Sequence, residues 1–169
     1  MNEGERARIF ESWIAAHKAI LFKVARAYGS THSDREDLFQ EMALQVWHSI
    51  GAFRGDAAVT TWIYRVALNT ALAWGRRQRR HSRGRQDLEA SAALLEAPPA
   101  PDPRLEWIYQ RIAALDEVNR SLALLLLDGF SYREMSAILG LTESNVGVRI
   151  NRIKAALVAQ LAEEEDRGL

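Results

Sequence analysis

Residues 130–157 read FSYREMSAILGLTESNVGVRINRIKAAL, and their spacing predicts two short helices joined by a tight turn. Ser131 is placed to cap the first helix, and Glu134, three residues on, completes a capping box. Met135, Ile138 and Leu139 form its apolar face. Gly140 stops it, because glycine accepts the left-handed backbone that a helix end requires. Thr142 is placed to cap the second helix, where Val146, Ile150, Ile153 and Leu157 recur at helical spacing as one inward stripe. This is the pattern of a helix-turn-helix, whose second helix enters the major groove of DNA. A period of about 3.6 residues then turns Ser144, Val148, Asn151 and Arg152 outward, with Gly147 at the flank. Asn can pair bidentately with adenine and Arg with guanine, and Val can meet a thymine methyl. Arg149 lies nearer the buried edge and suits phosphate; Lys154 can also reach the backbone. The same spacing fits a helical hairpin with a solvated polar face.

Upstream, the chain reads as two helical units and a linker, an all-α architecture with no convincing strand and no internal repeat. From Gly75 the sequence runs GRRQRRHSRGR, placing Arg76, Arg77, Arg79, Arg80, Arg83 and Arg85 in one basic cluster. The sign then reverses: Asp87, Glu89, Glu96 and Asp102 occur without an intervening Lys or Arg. All the prolines, Pro98, Pro99, Pro101 and Pro103, fall in the same stretch and prohibit a continuing helix. Residues 82–103 are therefore expected to be an acidic, proline-rich linker between units at 1–81 and 104–169. The first unit should contain three long helices. One spans about 5–28, with Phe10, Trp13, Ile14, Ile20, Leu21 and Val24 inward. The second starts at Ser33, capped through Glu36, and runs to Ile50 with Leu38, Phe39, Met42 and Val46 inward. The third runs from near Thr60 into the arginines, with Ile63, Val66, Ala67, Thr70 and Trp74 inward. The second unit should hold helices at about 104–115 and 117–128 before the helix-turn-helix.

Composition limits the function classes. The chain of 169 residues has no cysteine, which excludes disulfides, thiolate metal sites and Cys nucleophiles. Its formal net charge is zero, which argues against indiscriminate nucleic-acid binding, although the charge is segregated. No run is apolar enough to span a bilayer and MNEGERARIF is no signal peptide, so a cytoplasmic protein is expected. His17, His32, His48 and His81 have no metal-ligand spacing. There is neither a nucleophile elbow nor a glycine-rich phosphate loop. No catalytic residue, metal or cofactor is expected.

Three features of the first unit could carry binding. The arginine cluster suits phosphates through charge and counterion release, or is a solvated tail. Just upstream lie Phe53, Trp62, Tyr64 and Trp74; aromatics beside arginines can hold unpaired bases, although Trp74 suits a core better. The loop GAFRGDAAVT, residues 51–60, has Gly51 and Gly55 for tight turning and Arg54 and Asp56 to fix it. The polar face of the second helix carries Asp37, Gln40, Glu41, Gln45 and His48, either solvated or a docking surface.

Taken in order, D-x-x-Q-E (Asp37, Gln40, Glu41), FRGD (Phe53 to Asp56), TWIYRVALNTA (Thr61 to Ala71), the arginine cluster, a linker, LLLLDGFSYREMSAILGLT and a recognition helix resemble the extracytoplasmic-function (ECF) type of bacterial RNA polymerase sigma factor. The resemblance covers about residues 6–162. It implies an all-α protein of two small helical domains that binds core RNA polymerase and promoter DNA. Asp37, Gln40 and Glu41 match the motif that docks on the polymerase clamp helices. Phe53, Arg54, Asp56, Trp62, Arg65 and Asn69 match the region that melts the −10 element and captures flipped bases. Arg76, Arg77, Arg79 and Arg80 match the end that meets duplex backbone. Ser144, Gly147, Val148, Arg149, Asn151 and Arg152 match the helix that reads the −35 element. The family pattern also implies an anti-sigma factor partner and a monomer when free.

One departure is visible. Family members commonly carry a basic and then a small polar residue where this chain has Gly147 and Val148, which shifts the expected readout toward Asn151 and Arg152. Other readings compete: a stand-alone helix-turn-helix transcriptional regulator with a dimerising N-terminal bundle, a helical enzyme, and a sigma-like adaptor that has lost DNA binding.

Overall fold

The computed structural model describes residues 1–82 and 102–167, and among them every regular element is helical. The chain divides into two units, Met1–Leu105 and Glu106–Leu169. Of the expected linker 82–103, residues 83–101 lie outside the described residues, together with Arg83 and Arg85 of the basic cluster.

The first unit is built from α1 (Glu3–Tyr28), α2 (His32–Ser49), a single 3-10 turn (Ile50–Ala52) and α3 (Val59–Ser82). Each of the three long helices packs on the other two. Trp13, Ile20, Leu21 and Val24 of α1 meet Leu38, Met42 and Val46 of α2 and Ile63, Tyr64, Ala67, Leu68, Ala71 and Trp74 of α3 in one buried core. Each large apolar side chain so buried contributes about 1.5–3 kcal/mol. At the rim, Phe10 meets Trp47 edge-on at 5.5 Å and Phe22 stacks on Phe39 at 4.5 Å. The apolar faces fall where helical periodicity put them, with Phe10, Ile14, Phe39 and Val66 only half-buried.

The start of α2 differs from expectation. The cap is Thr31 with Asp34, not Ser33 with Glu36: Thr31 Oγ1 accepts from Asp34 N at 3.0 Å, and Asp34 Oδ2 accepts from Thr31 N at 3.2 Å. Ser33 with Glu36 fits the usual sequence form of the box, whereas Thr31 with Asp34 makes the same reciprocal bonds with an Asp where Glu or Gln is usual. The earlier start brings Arg35 back over the end of α1, where its Nε donates to Gly29 O at 3.0 Å.

The second unit contains α4 (Pro103–Ala114), whose first turn crosses the division at Leu105, followed by α5 (Glu117–Leu127), α6 (Tyr132–Leu139) and α7 (Glu143–Asp166). Pro103 opens α4 rather than closing a linker; its fixed φ suits a first helical turn, and Asp102 Oδ1 accepts from Arg104 N at 2.9 Å. Arg120 holds the other end of α4, donating from Nη2 to Ala113 O at 2.7 Å and Leu115 O at 2.9 Å. The run LALLLL lies on α5, where Leu122, Ala123, Leu124 and Leu125 are all buried. Around them close Tyr109 and Ile112 of α4, Met135 and Ile138 of α6, and Val146, Ile150 and Ile153 of α7. The last helix runs well beyond residue 157, and Arg111 of α4 reaches its final turns to pair with Glu164 at 2.8 Å.

Candidate nucleic-acid interface

The α6–α7 corner is made by local chemistry. Ser131 Oγ accepts from Glu134 N at 3.2 Å while Glu134 Oε2 accepts from Ser131 N at 2.7 Å. Hydrogen bonding to the carboxyl from the Ser131 backbone N–H first, and from its hydroxyl second, holds Glu134 below its ordinary value of 4.5. Gly140 sits at φ 68°, ψ 31°. Its N–H and that of Leu141 both donate to Ser136 O, at 2.9 and 3.2 Å, and Ser136 Oγ donates to Leu141 O at 2.5 Å. Thr142 Oγ1 then accepts from Asn145 N at 3.1 Å and starts α7.

With Val146, Ile150 and Ile153 buried beneath it, α7 leaves Ser144, Val148, Asn151 and Arg152 exposed, as the period requires. Gly147 is half-buried beside the Tyr132 ring, where an added Cβ would meet Cε2 at an ordinary 3.6 Å. Arg149 is not a free cation. Its Nε donates to Asn145 Oδ1 at 2.8 Å and its Nη1 to Asn119 Oδ1, across on α5, at 3.1 Å. Helical spacing could have suggested Asn145, four residues away; nothing in the sequence pointed to Asn119.

The first unit sorts the remaining candidates. Arg76, Arg77, Arg79 and Arg80 are exposed on the last turns of α3. Arg54 and Asp56 are exposed in the loop, and Asn69 is exposed on α3. Arg65 is half-buried, with a buried Nε that makes no hydrogen bond. The aromatics divide differently from their grouping in sequence. Tyr64 and Trp74 belong to the core and are withdrawn as surfaces for base stacking. Phe53 is half-buried between Trp13 (5.1 Å, edge-on) and Trp62 (5.5 Å). Trp62 Nε1 donates to Ser49 Oγ at 3.0 Å, which donates to Val46 O at 2.8 Å. The loop 51–60 is thus tied to the core through Phe53.

On α2, Asp37 and Gln40 are exposed and Glu41 is half-buried, all on one face by their spacing. Glu41 Oε1 pairs with Arg77 Nη2 at 2.5 Å, so the acidic face and the basic cluster meet. Among the described residues no group of His, Cys, Asp or Glu could hold a metal ion.

The order of these surfaces has counterparts in known proteins. Residues 13–81 match the family model for Sigma-70 region 2, and residues 105–157 match that for Sigma-70 region 4. The RNA polymerase sigma factor CnrH of Cupriavidus metallidurans is 30% identical over 172 residues, covering 95% of this chain and 90% of CnrH. The chain belongs to the ECF family of RNA polymerase sigma factors. The ECF sigma-E factor of Escherichia coli K12 is 31% identical over 137 residues, covering 73% of this sigma factor and 72% of its relative. Solved structures are similar as well. CnrH in complex with the cytosolic domain of CnrY matches with TM-score 0.66 and 26% identity, over 93% of this chain and 90% of that one. The Bartonella quintana sigma factor RpoE in complex with the anti-sigma factor NepR matches with TM-score 0.73 and 21% identity, over 92% and 98%, a likeness of fold alone.

As an ECF sigma factor the protein binds core RNA polymerase and directs promoter-specific transcription initiation. The stand-alone regulator is not favoured, since these relatives are sigma factors. No described helix is long and apolar enough to cross a membrane.

Proposed function

We propose a division of labour between the two units. Residues 1–82 form the region 2-like domain and residues 103–169 the region 4-like domain, with a linker between them. Asp37, Gln40 and Glu41 dock on the polymerase. Phe53, Arg54, Asp56, Trp62, Arg65 and Asn69 serve −10 melting and base capture, and Arg76, Arg77, Arg79 and Arg80 hold duplex backbone. Ser144, Gly147, Val148, Arg149, Asn151 and Arg152 meet the −35 element. The protein has no catalytic role of its own and works in the cytoplasm. It is a monomer when free and is held by an anti-sigma factor; the similar sigma factor CnrH was solved in complex with the cytosolic domain of CnrY.

One observation carries the reading: the polar residues Ser144, Asn151 and Arg152 stand exposed opposite a stripe of buried aliphatics on a capped helix. Such a face offers donors and acceptors to base edges at no cost to the core. Base capture by the first unit is energetically feasible. Extrusion costs a few kcal/mol, and each stacking contact returns about 1–3 kcal/mol.

The test is in vitro transcription with core polymerase and this protein on a library of promoter fragments. Initiation at sites sharing −10 and −35 elements is expected; no specific initiation above core alone would sink the proposal. Alanine at both Asn151 and Arg152 should relax −35 preference by about 1–3 kcal/mol per lost base contact. An unchanged preference would remove those two residues from the readout.

A further inference from the structure

Arg149 reaches the recognition surface through a chain of hydrogen bonds that begins on another helix. Asp116 caps α5: its Oδ1 accepts from Asn119 N at 3.0 Å, and its Oδ2 accepts from Asn119 Nδ2 at 2.5 Å. A carboxylate can only accept, so the Asn119 amide must turn its NH2 toward Asp116. Its Oδ1 is thereby forced to face the other way, where Arg149 Nη1 donates to it at 3.1 Å. Asn145 Oδ1 takes the Nε–H at 2.8 Å from within α7. The guanidinium is held on two sides by acceptors from two helices, and it has more donors than these two bonds use. Neither acceptor is charged, so the positive charge of Arg149 is not cancelled.

We propose that Asn119, oriented by Asp116, is a positioning residue for −35 recognition: it holds the Arg149 guanidinium in place for a phosphate of the promoter. The inference rests on the −35 role proposed for Arg149. Its physical basis is pre-organisation. A long, rotamer-rich side chain fixed before DNA arrives loses less freedom on binding, and a fixed fork selects one acceptor geometry. Asn119 itself need not touch DNA.

Holoenzyme made from core polymerase and the full chain tests this on a promoter selected by the wild-type protein, with a −35-scrambled copy as reference, across a salt series. Arg149→Ala should lower −35-dependent initiation. Asn119→Ala should lower it by about three- to tenfold, the loss expected for one undone polar contact. The double variant should be no worse than Arg149→Ala alone, because the two residues act as one unit. Arg149→Ala should flatten the salt dependence by about one phosphate's worth of counterion release; Asn119→Ala should flatten it in the same direction but by less, since the Arg149 charge remains, a change that a purely structural role for Asn119 would not produce. If Arg149→Ala leaves initiation unchanged, its −35 role fails and the role of Asn119 goes with it. If Arg149→Ala lowers initiation but Asn119→Ala does not, or if the two losses multiply, the positioning inference alone is overturned. Should Asn119→Ala not fold, Asn119→Leu, which fills similar volume without an acceptor, is judged by the same outcomes.

Discussion

Two helix ends in this protein finish on glycine, for opposite reasons. At the α6–α7 turn, Gly140 adopts φ 68°, a left-handed conformation, and a Cβ placed there would meet nothing within 4 Å. At the α1–α2 joint, Gly29 has φ −85° and ψ 124°, open to any residue, yet a Cβ would lie 2.7 Å from Arg35 Cγ and 2.9 Å from both Ala25 O and Arg35 N. The first glycine is required by its own backbone, the second by its neighbours. A local requirement shows in the residues around it, whereas a steric one exists only once two helices have closed on each other.

Substitutions at the two glycines test this contrast. Gly29→Ala should have the largest effect, destabilising the first unit by about 1–3 kcal/mol through overpacking, because two of the three close atoms are backbone and cannot swing aside. Denaturant unfolding measures it, and an unchanged midpoint would mean that the joint relaxes freely. Gly140→Ala should cost about 1–2 kcal/mol, the penalty of a left-handed Ala. Gly140→Asn should recover part of that loss, since Asn tolerates this conformation. Gly29→Asn should recover nothing, and equal recovery at both sites would erase the distinction.

Ser131→Ala should destabilise the second unit by about 1 kcal/mol through loss of the cap. Its partner makes that turn sensitive to pH. The Glu134 carboxyl is held below 4.5 in the folded state, so its contribution is complete above that value and is lost as pH falls through the lower, folded value. Melting curves taken downward from about pH 5 should therefore show a steeper fall in the wild type than in Glu134→Gln; parallel curves would dissociate Glu134 from the cap. The smallest effect is expected at the Glu41–Arg77 pair, whose side chains are 30% and 50% exposed. Arg77→Ala should change stability by about 0.5 kcal/mol or less, although it removes a proposed phosphate contact, so transcription should suffer more than folding.

The same contrast explains which features are legible in the sequence. The caps at Ser131 and Thr142, the turn at Gly140 and the stripe Val146, Ile150 and Ile153 follow from spacings of three or four residues, and all occur as expected. The outward face of α7 follows from the same period. A local rule can also favour the wrong neighbour: Ser33 with Glu36 has the usual form of the box, yet Thr31 with Asp34 makes it. Aromatics are the least legible. Phe53, Trp62, Tyr64 and Trp74 are all compatible with stacking on a base, yet Tyr64 and Trp74 fill the core while Phe53 sits between two tryptophans. An aromatic ring is equally suited to a core and to a base, and only its neighbours decide which it meets.

The all-α architecture, the helix-turn-helix and the polar faces are legible in the residues alone, because helical periodicity and capping act within a turn or two of chain. Tertiary structure decided which aromatics are buried, which of two caps starts α2, and how charges are tied. The bond from Glu41 to Arg77 spans 36 positions and that from Asn119 to Arg149 spans 30. Such pairings depend on how helices pack against one another, and no local pattern of residues encodes that distance.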